Sequence, residues 1–234
     1  MKSIDWPESP HRRPYPRTGP LAGPRPVVLI HGAAGSRGNF AGVVPALRAA
    51  GRPVLSVSYG RHGTRRLRAN FDEVRLLLGG IVEDAGAVDL VGHSQGGLIA
   101  LAASGTPELV GKVGRVVGIA GNFRGSDRPR RLPLWPVPAW ATNLVGSRDL
   151  ADLLIYARRS TVPVTQLISP ADRVIPAARL RAVAADDPLT GTPAHRGPVD
   201  IVTVPGDAAH PAPLHSQLPY SPVVGRLVAA AVED

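Results

Sequence analysis

Six short apolar runs recur along the chain: VVLIH (27–31), VLSVS (54–58), VDLVG (88–92), VGRVVGIA (113–120), VTQLIS (164–169) and VDIVTV (199–204). Rich in β-branched residues, they read as strands. Helical patterns lie between them. Residues 39–50 read as one helix. From Thr64, expected as an N-cap, Leu67, Phe71, Val74, Leu78 and Ile81 recur at helical spacing, with Arg68 and Asp72 four apart. Residues 95–104 form another helix ending at Gly105. Ser221-Pro222 then opens a last one, with Val224, Leu227, Val228 and Ala231 on one side. Strands apolar on both faces, alternating with helices, imply an α/β fold: a mostly parallel sheet of about six strands covered by helices on both faces. At 234 residues the chain suits one such domain over 27–234, after an extended Pro/Arg-rich arm over 1–26.

The third run leads into the sharpest local signal, VDLVGHSQGGLIALAAS (88–104). Ser94 stands between His93 and Gln95, with Gly92 and Gly96 two positions away on either side. A strand that turns abruptly into a helix strains its corner residue, and only small neighbours permit the approach. Such a turn lifts the serine Oγ clear of the sheet and sets it at a helix N-terminus, where backbone N–H groups can receive a developing oxyanion. This is the Gly-x-Ser-x-Gly nucleophile elbow. The pentapeptide alone is weak evidence, because glycine and serine are common. Its setting, an apolar strand before and a small-residue helix after, makes it specific.

Composition narrows the chemistry around that serine. With no cysteine there is no thiol nucleophile, thiolate metal site or disulfide. No metal or organic cofactor is expected. The Gly-rich HGAAGSRG (31–38) lacks the Gly-Lys-Ser/Thr ending of a phosphate cradle. The formal charge of +9 comes from arginine, since only Lys2 and Lys112 are lysines. That bias suits peripheral contact with an anionic membrane, yet the arginines are scattered, as codon composition alone would scatter them. No helix-turn-helix, zinc-finger or RNA-binding signature is present, so no nucleic-acid partner is expected. No apolar run reaches the length of about 18 residues needed to span a bilayer. The first 26 residues contain no apolar h-region, so the sequence as written is expected in the cytoplasm, or outside the cell if the true start lies upstream.

A serine nucleophile needs a base, and the base needs an orienting carboxylate. Asp172 follows the strand VTQLIS directly, in a loop suited to carry the acid. Asp207 also follows a strand and is its nearest rival. Asp149 and Asp152 fall on an expected helix, and Asp200 starts a strand. The loop between the last strand and the last helix offers two histidines, His210 and His215, and position does not separate them. His31 and His93 adjoin the turns and are expected to brace them. His11, His62 and His195 sit in Arg- or Pro-rich stretches and read as solvated.

Four blocks in order, VVLIHGAAGSRGNF, VDLVGHSQGGLIAL, VTQLISPADRVIP and HSQLPYSPVVGRLV, resemble the class 2 bacterial lipases of the α/β-hydrolase superfamily, most closely the actinobacterial triacylglycerol lipases and esterases. The resemblance covers roughly 26–121 and 164–231. It implies an α/β-hydrolase fold and a carboxylic ester hydrolase acting through an acyl-enzyme. It assigns Ser94 as nucleophile and Asp172 as acid. His215, which stands just before LPYSP, is assigned as base. It also implies backbone N–H donors at Ala33 and Gln95 for the oxyanion, and an ester or lipid substrate.

Two departures stand out. Secreted members of that family usually carry an export signal and often a cysteine pair, and this sequence has neither. Where they have a Gly-Thr-rich stretch, GNFRGSD (121–127) begins a divergent segment over 122–162. Its apolar residues Leu134, Trp135, Trp140, Leu144, Leu153 and Leu154 suit either a flap over an acyl pocket or ordinary core packing. Of these, Leu134, Trp135 and Trp140 are the substrate-contact candidates. Acyl transfer on the same triad, or a binding protein on a hydrolase scaffold, are the alternatives to ester hydrolysis.

Overall fold

The computed structural model describes residues 24–126, 138–175, 177–181 and 195–233. In chain order the elements are β1 (Val27–Ile30), a 3₁₀ turn (Arg37–Phe40), α1 (Val43–Ala49), β2 (Val54–Val57), α2 (Gly60–Gly63), α3 (Leu67–Ala85), β3 (Val88–His93), α4 (Gln95–Ser104) and β4 (Val113–Ile119). There follow α5 (Pro138–Thr142), α6 (Arg148–Ala157), β5 (Val164–Ile168), α7 (Ala177–Arg181), β6 (Val199–Thr203), a second 3₁₀ turn (His215–Tyr220) and α8 (Pro222–Ala231). The six strands form one sheet in the order β2-β1-β3-β4-β5-β6, and every neighbouring pair is parallel. The segment expected as an N-terminal arm lies outside the described residues up to position 23.

Successive strand residues point to opposite faces, and both faces are covered. In β1, Val28 and Ile30 join the core beneath α3, α4 and α6, whereas Val27 and Leu29 join the core beneath α1 and α8. The four β1 residues are wholly buried, which is why its sequence shows no polar alternation. Helix α4 is buried along its whole length, pressed between the sheet and α6. That position explains its small, apolar composition. In α6, Leu150, Leu153 and Ala157 are buried against this core, and Leu154 packs on it. Two residues considered for a flap, Leu153 and Leu154, therefore serve as core packing.

One helix start differs from expectation. Thr64 does not cap α3: its hydroxyl donates to the Arg61 carbonyl at 2.6 Å, and the helix begins at Leu67 after Arg66. Tight-turn hydrogen bonding competed for the threonine and won. Among the described residues, no helix is long and apolar enough to cross a membrane.

At the end of the sheet away from Ser94, Arg52 and Asp89 form a buried ion pair. Arg52 also donates to the carbonyls of Val232 and Arg25, joining β2, β3 and the end of the C-terminal helix. Asp89→Ala would leave the guanidinium buried and uncompensated. The expected loss is about 3–5 kcal/mol of unfolding free energy, read by urea denaturation.

Candidate active site

Parallel strands end on a common edge, and the residues named from sequence gather there. Ser94 links β3 to α4 with φ 52° and ψ −120°, in the left-handed half of backbone space that a side chain rarely enters. Backbone hydrogen bonds hold the strain. Ser94 N–H donates to Ile119 at 3.0 Å, and its carbonyl accepts from Gly97 at 3.0 Å and Asn122 at 2.9 Å. The flanking glycines are steric requirements. A Cβ on Gly96 would lie 2.1 Å from the Ile30 carbonyl oxygen, and one on Gly92 would lie 2.3 Å from the Gly96 backbone.

Asp172 follows β5 and is buried. Its Oδ1 accepts the backbone N–H groups of Val174 at 2.8 Å and Ile175 at 3.0 Å, and its Oδ2 lies 2.7 Å from His215 Nδ1. Burial by itself would raise the carboxyl's pKa. The hydrogen bonds from His215, Ile175 and Val174 outweigh it and hold the group below the ordinary carboxylate range. An ionised carboxylate only accepts, so Nδ1 of His215 carries the proton and Nε2 is left with a lone pair. Ser169 staples the two loops by donating its hydroxyl to the Pro213 carbonyl at 2.6 Å.

His93, next to Ser94, bridges to the same loop. Its Nε2–H donates to the His215 carbonyl at 3.0 Å, and the two rings are 4.8 Å apart. His215 is thereby held beside the corner that carries Ser94. The bracing expected of His31 and His93 is what both do: His31 Nδ1 lies 2.8 Å from the Gly32 carbonyl, and its ring stacks on Tyr59 at 4.3 Å.

The rivals fall elsewhere. His210 and Asp207 form an exposed turn in which Asp207 accepts the N–H groups of Ala209 and His210, at 2.8 and 2.6 Å. Asp149 is tied to Arg66 at 2.7 Å, and Asp152 faces Arg68 at 3.8 Å. Asp200 sits on β6 and is exposed. His195 departs from expectation: it is buried, with Nε2 2.8 Å from the Val162 carbonyl, so a main-chain acceptor ahead of β5 holds the ring inside. His62 is exposed, whereas His11 lies outside the described residues.

Ala33 is the second residue of a turn closed by Gly35 N–H to Gly32 O at 3.1 Å, so the turn itself does not use its N–H. Gln95 is the first residue of α4, where N–H groups have no intrahelical partner. A Cβ on Gly32 would come within 3.1 Å of Ser94 Cβ, which puts the Ala33 turn against the serine. Sequence reasoning missed the Gln95 side chain. It is buried, donating to Gly63 O at 3.1 Å and accepting from Asn143 Nδ2 at 2.6 Å. It thus ties the serine corner to α5 and the α2 turn. A glutamine flanked by small residues shows in sequence only as a position, without its partners.

Trp140 on α5 is 44% exposed. Leu144 is half-buried, and Leu134 and Trp135 lie outside the described residues. Among the described residues no group of three or more His, Cys, Asp or Glu is placed to hold a metal ion.

A sheet of this order, a strained serine at the β3–α4 corner and a paired histidine and aspartate on later loops together define a class of proteins. A family model for the alpha/beta hydrolase family matches residues 27–232, and the chain belongs to that family. Comparison with curated proteins returned no match. Among solved structures, Aspergillus fumigatus lipase B superposes with a TM-score of 0.68 at 19% identity, over 89% of this chain and 52% of that one. The chain therefore spans about half that lipase's length. The monoacylglycerol lipase of Paleococcus ferrophilus superposes with a TM-score of 0.61 at 18% identity, over 89% of this chain and 94% of that one. Est1E of Butyrivibrio proteoclasticus, seen with ferulic acid bound, gives 0.59 at 17% identity, over 93% and 88%. At such identities the likeness is one of fold.

The buried histidines carry a pH consequence. Burial lowers the pKa of His31 to about 4; burial and the neighbouring His215 lower that of His93 to about 3. Unfolding returns both to the ordinary value of 6.5, so below it the unfolded chain binds more protons than the folded one. Stability should therefore fall as pH drops from about 6.5 towards 4. Melting temperatures across that range should show the decline. His93→Asn, which keeps a donor for the His215 carbonyl, should soften it.

Proposed function

We propose that the protein is a carboxylic ester hydrolase of the lipase or esterase type, with Ser94 as nucleophile, His215 as base and Asp172 as orienting acid. The observation that carries this reading is the 2.7 Å contact between His215 and Asp172, set beside a serine with positive φ. Asp172 fixes the tautomer of His215, and the Nε2 lone pair takes the Ser94 proton. Ser94 Oγ then attacks the ester carbonyl, and the N–H groups of Ala33 and Gln95 receive the oxyanion. A donor of this kind contributes about 10²–10³ in rate. His215 returns the proton to the departing alcohol, and water releases the acyl group by the same steps in reverse. Every proton moved belongs to the chain's own residues or to water.

The four motif blocks support the finer placement among class 2 bacterial lipases. An apolar acyl group suits the rim, where Val174 stands beside Asp172 and Leu214 beside His215, both exposed. Exposed Trp140 on α5 adds a further apolar contact. The arginine-rich charge of +9 also favours peripheral contact with an anionic lipid surface.

Ser94→Ala should lower turnover of a nitrophenyl ester by about 10⁴-fold or more while leaving the fold intact. A fluorophosphonate probe should label the wild type at Ser94. His215→Ala should match the loss and His210→Ala should not. Full activity in Ser94→Ala, or equal effects of the two histidine variants, would refute the assignment.

A further inference from the structure

Gln95 and Asn143 are amide side chains buried against each other beside the serine corner. Asn143 directly follows α5, and its Nδ2 donates to Gln95 Oε1 at 2.6 Å and to the Ala139 carbonyl at 2.7 Å. Gln95 Nε2 donates to the Gly63 carbonyl at 3.1 Å, at the end of the α2 turn that bends through Arg61 and His62 at φ 49° and 64°. It also lies 3.4 Å from Tyr59 Oη, whose proton goes to the His31 carbonyl. Carbonyl oxygens only accept, so Gly63 and Ala139 permit one orientation for each amide. The donors therefore all run one way, from Asn143 through Gln95 and Tyr59 to His31.

Neither carbonyl needs this pair for its own satisfaction. Gly63 O also accepts from Asn70 Nδ2 at 2.9 Å, and Ala139 O accepts the Asn143 N–H at 3.0 Å. Asn143 Oδ1, meanwhile, is buried with no partner among the described residues, which opposes folding. Two apolar side chains of the same shape would fill the space without that cost. They would not fix Gln95, whose backbone N–H at the start of α4 is an expected oxyanion donor. The relay ends on His31, two residues before Ala33, the other expected donor. Its far end is set by α5, where Ala139 N–H donates to the Thr64 carbonyl at 3.2 Å and Thr142 Oγ1 accepts the Leu67 N–H at 2.8 Å.

We propose that Asn143 is a positioning residue: through the Gln95 side chain it aims the N–H groups that receive the oxyanion, so a group on the divergent segment sets the rate of turnover. The inference rests on the ester-hydrolase reading. It is tested on the full chain by kcat and KM for nitrophenyl butyrate, per Ser94 site titrated with a fluorophosphonate, together with melting temperature. A donor lost outright costs about 10²–10³ in rate, so a displaced one should cost less, about tenfold. Asn143→Leu orphans Gln95 Oε1 and should lower both kcat, about tenfold at unchanged KM, and the melting temperature. Gln95→Met with Asn143→Leu removes both amides together and orphans neither carbonyl. Its melting temperature should return to the wild-type value while kcat stays about tenfold down. Wild-type kcat in either folded variant, or a loss confined to KM, overturns the inference. If neither variant folds, Asn143→Ser, too short to reach Gln95, decides it: a per-site kcat lowered at constant KM supports the role, and an unchanged one overturns it. A wild type that turns over no ester and takes no label instead overturns the hydrolase reading, and this inference with it.

Discussion

The main chain passes closer to itself at the β3–α4 corner than any side chain would allow. Two stretches, β1 with its exit and the start of α4, meet where the Gly96 Cα faces the Ile30 carbonyl. That approach lets α4 leave the sheet steeply and carry Ser94 at its head. Three backbone hydrogen bonds then keep the serine in a conformation costing about 1–3 kcal/mol. The site depends on this contact. A looser corner would drop the hydroxyl back toward the sheet and turn the first N–H groups of α4 away from it.

Asp172 and His215 are brought to the serine corner by loops tied to each other and to β3. Ser169 bonds the β5 loop to Pro213, and His93 bonds the β3 end to His215. His215 is thus held by its ring to Asp172 and by its backbone carbonyl to His93, a placement that does not rely on the serine. Gln95 performs the corresponding task on the far side, linking the serine corner to α5 and to the bent α2 turn. Neutral, buried histidines suit such work because they supply donors without a charge to desolvate. The pKa values lowered by burial are the thermodynamic cost of using them.

Much of this was legible in sequence, because the strands of a doubly covered sheet are plain apolar runs and all six were identifiable within a residue or two. The serine corner was legible because its steric demand leaves glycines at fixed spacing. Asp172 was read from its place after a strand. His215 could not be told from His210 by position, and the LPYSP likeness was needed to prefer it. The structure gives the physical difference, an exposed turn around Asp207 against a buried carboxylate. The misjudged positions are those where tertiary contacts outrank local composition. His195 sits in a Pro-rich stretch yet is enclosed, and Thr64 bonds backward into a turn.

The Arg52–Asp89 pair has a further implication. It locks strand starts and the end of the last helix at one pole of the sheet, whereas Ser94, Asp172 and His215 stand at the other. Mutational drift in the loops that carry those three residues can then proceed without loosening the clasp that keeps the chain folded. Such spatial separation would let one scaffold explore new substrates while its foundation stays fixed.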